Sequence, residues 1–137
     1  MPAPLLSDYL RLSYRPDLQL LFMRWTRPAT PEEHRAGYQE ALALAQQEQA
    51  SRWLIDLRSR GLAEVADLRW VLQEFAAEFR AILPHAERRI AYFTTPYYAD
   101  VLRPRLQEHL LAGSGLQVEV FTEEMPAHHW LLLGKDS

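Results

Sequence analysis

Apolar residues recur along this chain in two spacings that alternate from segment to segment. Alternation of every second residue predicts a strand, whereas spacing of three and four predicts one face of a helix. Short stretches rich in proline, glycine or charge separate the segments and are typical of loops. The strand pattern covers residues 8–15, 18–25, 52–57, 88–94 and 116–122. The helix pattern covers residues 31–49, 64–83, 96–111 and 123–133.

Two of the predicted helices begin with a recognisable cap. Thr30 precedes Pro31 and is followed three residues later by Glu33, which is the spacing of a capping box. Thr95 precedes Pro96 in the same way. Pro104 lies inside the predicted third helix and should kink or divide it, because proline removes one backbone hydrogen bond.

The second helix carries the clearest apolar face of the chain. Its apolar residues are spaced three and four apart, and Pro84 follows the helix. We expect this face to pack on Ile55, Ile90 and Val118 of the predicted strands. The face consists of Val65, Leu68, Leu72, Phe75, Phe79 and Ile82.

The order of the elements predicts an α/β fold with one sheet. The first two strands are joined by Pro16-Asp17 and form an antiparallel hairpin, and the later strands, separated by helices, should be parallel. In the third strand Trp53 and Ile55 alternate with Leu54 and Asp56. We therefore expect one domain with a mixed, mostly parallel five-stranded sheet and helices stacked mainly on one face.

An apolar centre should then remain on the other face of the sheet. We assign to it Leu21, Met23, Trp25, Leu54 and Phe93. A patch of this size is rarely left in water. Either the C-terminal segment with Trp130 covers it or a second copy of the chain does, and we expect a homodimer.

Composition narrows the classes of function. The 137 residues include no cysteine, which excludes disulfides, thiolate metal sites and cysteine nucleophiles. The formal net charge of −3 argues against a nucleic-acid partner. No apolar run is long enough for a membrane span and Met1–Pro4 does not resemble a signal peptide, so we expect a cytoplasmic protein without a membrane partner. Lys135 is the only lysine among 15 cationic residues. This excess of arginine fits either anion recognition or the codon bias of a GC-rich genome.

No catalytic or metal-binding motif stands out. The five histidines do not have a metal-ligand spacing, so we assign them to the surface or to helix caps. Gly113-Ser114-Gly115 follows a helix and precedes a strand, which is the reverse of a nucleophile elbow. The carboxylates lie mostly at helix starts, where the helix dipole favours them. We expect no enzyme activity, no cofactor and no metal.

The order of the strands and helices carries a family resemblance, and the loop after the third strand shows where the chain departs from the family. It reads Asp56-Leu57-Arg58-Ser59-Arg60-Gly61-Leu62-Ala63-Glu64-Val65-Ala66-Asp67. With the preceding hairpin and the helix-strand repeats, the chain resembles the STAS domains of bacterial anti-sigma-factor antagonists, which carry an Asp-Ser-Ser/Thr-Gly phosphorylation motif in this region. Ser59 is the only hydroxyl here and does not form that motif. The resemblance therefore implies the fold and a non-enzymatic interaction or regulatory module, and a small sensor for an anionic ligand is the alternative.

A binding site is expected at the carboxyl ends of the parallel strands. Loops at this edge lead into helix N-termini, whose free amides favour anions. The candidate residues for a small anion or a protein partner are Arg58, Ser59, Arg60, Thr94 and Thr95. In the alternative interpretation Thr95 only caps the third helix and the arginines pair with nearby carboxylates or water.

Overall fold

The predicted sheet is present in the computed structural model, which describes residues 5–133. Met1–Pro4 and the segment with Lys135 lie outside the described residues. The first three strands are antiparallel and the others are parallel. All five predicted strands are confirmed, and a two-residue strand adds a sixth at the edge. The strands, in the order in which they lie side by side, are β1 (Leu5–Leu6), β2 (Leu10–Arg15), β3 (Leu20–Trp25), β4 (Arg52–Asp56), β5 (Arg88–Phe93) and β6 (Leu116–Phe121).

The helices lie mainly on one face of this sheet, as expected. The predicted second helix is a continuous helical run whose middle turn, Val71–Phe75, is π-helical. The third predicted helix is also continuous and is not divided at Pro104. Pro104 and Asp100, four residues earlier, are both exposed, so water can solvate the carbonyl that proline leaves without a donor. The helices are α1 (Pro31–Glu48), α2 (Val65–Trp70), α3 (Ala76–Ile82), α4 (Pro96–His109) and α5 (Glu124–Leu132).

The main core lies between the sheet and helices α1 to α4. Leu68, Leu72, Phe75 and Phe79 are buried there, as the spacing predicted. Ile55 and Ile90 belong to the same cluster, and Val118 packs against it. Val65 is exposed, so the apolar face of the helix begins later than the pattern indicated.

The predicted apolar centre on the other face is wrong for three of its five residues. Leu21, Met23 and Trp25 point into the main core, because Leu21 and Met23 lie beside Trp53 and Ile55 in the parallel pairing of β3 with β4. Leu54 and Phe93 do lie on the other face. Leu20-Leu21-Phe22-Met23 is apolar throughout, so its alternation could not be assigned from sequence.

Helix α5 covers part of that other face. Ala127 and Leu131 of α5 pack on a second cluster of strand residues, consisting of Leu20, Leu54, Ala91 and Phe93. Every residue of β4 and β5 is therefore buried, and these strands are not half-exposed as their alternation suggested. The cover comes from the chain itself, so this patch does not require a second copy.

Two buried arginines hold the C-terminal end of α5 on the sheet. Arg52 Nη1 donates to the carbonyl of Leu131 at 2.7 Å, and Arg89 Nη1 donates to that of Trp130 at 2.6 Å. Both side chains also pair with Glu87. The last carbonyls of a helix lack intrahelical donors and carry the negative end of its dipole. The arginines therefore supply the donors that α5 needs to end against a buried surface.

None of the helices between residues 5 and 133 combines the length and apolarity needed to cross a bilayer.

Candidate functional site

The loop between β4 and α2 sends its two arginines to opposite faces of the sheet. The amides of Arg60 and Gly61 both donate to the carbonyl of Leu57, at 3.1 and 3.0 Å, and close a tight turn. Gly61 has a φ of +81°, which glycine adopts without strain. Arg58 lies on the face that α5 partly covers, and Arg60 lies among the helices of the main core. The sequence grouped the two arginines in one site, and the structure separates them.

Arg58 is held by a carboxylate and by an aromatic ring. Its Nε and Nη2 donate to the two carboxylate oxygens of Asp56 at 3.1 and 2.8 Å. The guanidinium lies 4.3 Å from the centre of the Phe93 ring. Side-chain exposure is 48% for Arg58 and 11% for Asp56, so the arginine covers the carboxylate and still faces solvent. The ion pair expected in the alternative interpretation is therefore present for Arg58.

Arg58 lines an open cleft on the sheet, which we call the sheet groove. Its volume is about 520 Å³, within the range of roughly 300–1,000 Å³ that is usual for small-molecule sites. Phe22, Leu54 and Phe93 contribute apolar surface. Four arginines and two carboxylates contribute charge, namely Arg11, Arg15, Arg24, Arg58, Asp56 and Glu124.

Two of these arginines face each other directly. Arg11 of β2 lies opposite Arg24 of β3 in the antiparallel pairing. Arg24 lies 4.0 Å from the carboxylate of Asp56, which already forms an ion pair with Arg58. Arg11 forms no ion pair within residues 5–133. Like charges directly opposite each other destabilise a sheet. The part of the groove formed by Arg11 and Arg24 thus carries an excess of positive charge.

Arg60 belongs to a buried polar group on the face of the sheet that packs against the main core. We call this group the Arg60 cluster, and it consists of His34, Tyr38, Arg60 and Tyr92. Arg60 is 7% exposed, and its Nη2 lies 2.9 Å from Nδ1 of His34. The guanidinium also lies 5.0 Å from the Trp25 ring. The hydroxyls of Tyr38 and Tyr92 are 2.9 Å apart. A cavity of about 20 Å³ lies between these groups.

Burial controls the protonation of this cluster. Burial, together with the positive charge of Arg60, lowers the pKa of His34 to about 4. His34 is therefore neutral, accepts from Arg60 at Nδ1 and donates from Nε2 to the carbonyl of Asp67 at 3.2 Å. Burial also raises the pKa of Tyr92 to about 12 and that of Tyr38 well above its usual value of 10, so both phenols keep their protons.

The other predicted site residues do not join either group. Ser59 is exposed on the loop. Thr95 caps α4, accepting from the amide of Tyr98 at 3.4 Å. Thr94 is buried with its hydroxyl unpartnered among the described residues. Thr95 thus has the structural role of the alternative interpretation. No hydrogen bond among residues 5–133 joins either threonine to Arg58 or Arg60.

Sequence reasoning missed several residues of both regions. Arg11 and Arg24 occupy polar positions of the predicted hairpin, and only its register reveals that they are neighbours. His34 was assigned to the surface or a cap, whereas it is 3% exposed. Its spacing of four residues from Tyr38 places both on the buried face of α1, and this spacing was the available signal.

Comparisons of this chain with protein-family models, with curated proteins and with solved structures found no match. The resemblance to STAS domains therefore stays a prediction beyond the α/β architecture itself.

Proposed function

We propose that this protein is a non-enzymatic binding module whose sheet groove takes a small organic anion with an apolar part. The observation that carries the proposal is the pair Arg11 and Arg24, which lie opposite each other. Arg24 lies 4.0 Å from the carboxylate of Asp56, and Arg11 forms no ion pair within residues 5–133. An anion placed between them would replace repulsion with two charge-assisted hydrogen bonds. A guanidinium pair of this kind suits a carboxylate or a phosphate.

The remaining surface of the groove fits the apolar part of such a ligand. Phe22 and Leu54 are neighbours across β3 and β4, and Arg24 and Asp56 form the next pair of positions facing the same side. The cationic end and the apolar end therefore lie side by side along the strands. Arg58 keeps the ring of Phe93 partly covered from above.

The chemistry of the groove favours binding over catalysis. Its most buried carboxylate, Asp56, already accepts from the backbone amide and the side chain of Arg58 and is not free to act as a base. We therefore propose that the protein is not an enzyme and that binding of the ligand has a regulatory role. The cytoplasmic location also belongs to it and is supported by the lack of cysteine.

The test is a titration of the whole chain with octanoate and with phenyl phosphate, followed by backbone amide NMR. We expect shifts in β2, β3 and residues 56–58, and no comparable shifts with octanol, which lacks the charge. The double variant Arg11→Gln/Arg24→Gln should weaken binding at least tenfold, because it removes both charge-assisted contacts. The matched control is Arg35→Gln/Arg69→Gln, which removes two exposed arginines from the helix side. Equal affinity in both double variants would refute the proposal.

A second candidate is the interaction module that the family resemblance implies, acting through the outer face of α5. Met125 is 76% exposed there and Leu133 is 50% exposed. Met125 lines a surface there with Pro126, Leu132 and two histidines, His128 and His129, and a second copy could cover it. Sedimentation at tens of micromolar should then reveal a dimer that Met125→Glu dissociates, whereas the control Tyr97→Glu, another exposed site, leaves it intact. A monomeric wild-type protein would exclude this candidate.

A further inference from the structure

Two arginines converge on the loop of residues 111–115, which joins α4 to β6. Arg80 Nη1 donates to the carbonyl of Gly113 at 3.4 Å, and Arg88 Nη2 donates to the carbonyl of Ser114 at 3.3 Å. Neither guanidinium has a carboxylate oxygen within 4.0 Å in the part of the chain that the structure describes. Burial and the nearby charge of Arg80 lower the pKa of Arg88. The loop therefore lies against two positive charges that act on each other and that no described carboxylate contacts.

The guanidinium of Arg88 has more donors than the loop satisfies. Arg88 is 4% exposed, and its Nε and Nη1 are buried without a hydrogen-bond partner among residues 5–133. A buried donor that stays unpaired costs free energy, and the cost is larger for a charged group. The backbone of Gly115, whose φ is +75°, lies so close that a Cβ at this position would collide with Nη2 of Arg88. The loop thus covers a guanidinium that still lacks acceptors.

An open cavity adjoins the same loop. Its volume is about 270 Å³, just below the roughly 300–1,000 Å³ that is usual for drug-sized ligands, so it suits a small ligand. Gln73, Arg80 and Ser114 supply its polar groups, and none of the described residues that line it is a carboxylate. Gln73 belongs to the π-helical turn Val71–Phe75, and such turns are frequent at functional sites. The cavity therefore offers positive charge and hydrogen-bond donors to a small anion.

We propose that Arg80, Arg88 and the loop of residues 111–115 bind a small oxyanion of the phosphate class. The carbonyl oxygens of Gly113 and Ser114 occupy the positions that oxygens of the anion would take. Both contacts are longer than the roughly 2.9–3.0 Å of a usual N–H···O hydrogen bond, whereas charge-assisted bonds are shorter and about twice as strong. An anion that enters beside Ser114 therefore displaces the two carbonyls and pairs with both guanidiniums.

The donors and the loop both suit such an exchange. A guanidinium fork binds two oxygens at once, so two forks match the four oxygens of phosphate better than the two of a carboxylate. Gly113 and Gly115 flank Ser114 with positive φ values, which glycine adopts without strain. A Cβ placed on Gly113 would have no neighbour within 4 Å, so the loop has room to move away from the arginines.

NMR of backbone amides and arginine side chains tests the site with inorganic phosphate. At constant ionic strength, set with sodium chloride, phosphate should shift the amides of residues 111–116 and the Nε–H signal of Arg88 until the shifts saturate. Glycerol 3-phosphate is titrated in the same way. Saturation by either compound supports the site, and the tighter of the two identifies a phosphomonoester or free phosphate as the ligand. Shifts that never saturate, or that leave Arg88 and the loop unchanged, would overturn the proposal.

Substitution of the exposed arginine of the pair provides the second measurement. Arg80→Gln removes a charge from the surface, so the fold should persist while phosphate binding weakens about tenfold. The matched control is Arg69→Gln, since Arg69 is an exposed arginine of the same helical run and should not affect the affinity. Arg88→Lys keeps the positive charge but loses the planar fork, so it should also weaken binding. Equal affinity in Arg80→Gln and Arg69→Gln would refute the site, and this comparison decides the question even if Arg88→Lys fails to fold.

The outcomes also separate this site from the sheet groove. Arg88 begins β5, whereas Phe93, which lines the groove, ends it, so the two sites lie at opposite ends of the strand. Arg11→Gln/Arg24→Gln should therefore leave the phosphate shifts of residues 111–116 unchanged. Loss of octanoate binding in this variant with those shifts retained would support two independent sites. Loss of the phosphate shifts as well would place the phosphate in the groove and overturn the second site.

Discussion

The sheet groove and the Arg60 cluster each contain one arginine from the same loop, and the two arginines have different surroundings. In the groove, Arg58 meets a carboxylate and an aromatic ring and remains half in water. In the cluster, Arg60 meets a neutral histidine and the face of Trp25 and is almost fully buried. At this loop the half-exposed arginine forms an ion pair, and the buried one forms none within residues 5–133.

The two arginines should contribute to stability in different ways. A half-exposed guanidinium is hydrated, so its ion pair contributes little to stability and can be exchanged for a ligand. A buried guanidinium with uncharged partners carries a desolvation cost that its packing and hydrogen bonds must offset. The groove should thus tolerate substitution and the cluster should not.

The largest difference between the regions is expected for removal of one phenylalanine ring. Phe75 is fully buried and packs edge-on against Tyr38 at 5.0 Å between ring centres, behind the Arg60 cluster. Phe75→Ala should cost about 3–5 kcal/mol of unfolding free energy, the usual range for such core truncations. The matched variant in the groove, Phe22→Ala, should cost less than about 2 kcal/mol, because that ring is only half-buried. Urea unfolding of both variants measures the contrast, and equal losses would show that the groove is packed like the core.

The pH dependence of stability should come from the cluster. His34 has an ordinary pKa of 6.5 in the unfolded chain and about 4 in the folded protein, because burial and Arg60 disfavour its charged form. Between these values the unfolded chain binds more protons, so stability is lost as the pH falls from 6.5 towards 4, by on the order of 3 kcal/mol.

Urea unfolding at pH 7, 6, 5 and 4.5 checks this dependence. The carboxyl of Glu33, whose pKa is lowered to about 2 by Arg27, affects stability mainly below its usual value of 4.5 and so contributes little to the change between pH 7 and pH 5. His34→Gln can still accept from Arg60 and donate to Asp67, and it should make stability nearly independent of pH here. A wild-type curve that is already flat above pH 4.5 would contradict the buried, neutral state of His34.

The sequence predicted those features that depend on local periodicity. The helix face of Leu72, Phe75 and Phe79 and the caps at Thr30 and Thr95 follow from spacing and capping rules, and the structure contains them. These features need no knowledge of which strands are neighbours, and so they are readable from one chain.

The candidate site depended on contacts that spacing does not determine. A two-residue turn at Pro16-Asp17 would place Arg11 opposite Phe22, but the observed pairing of Arg15 with Leu20 leaves four residues in the turn and brings Arg11 to Arg24. The turn at Gly61 likewise decides that Arg60 goes to the core while Arg58 does not. Register and loop geometry, not composition, therefore defined the two sites.

The smallest expected effect is that of Arg58→Gln, which removes the ion pair of the groove. Asp56 would keep the hydrogen bond from the amide of residue 58 at 3.0 Å, and Arg24, now 4.0 Å away, could move closer. Exposed ion pairs contribute about 0–1 kcal/mol, and the stacking on Phe93 adds a similar amount at most. We therefore expect a loss of less than about 1.5 kcal/mol in urea unfolding, with the NMR spectrum of the Arg60 cluster unchanged. Arg15→Gln, which removes the exposed pair with Asp17 in the same groove but no aromatic contact, is the control and should leave the melting temperature unchanged. If Arg58→Gln instead unfolded the protein, Asp56 would be a buried charge that only Arg58 can neutralise, and the groove would be as dependent on its arginine as the cluster is.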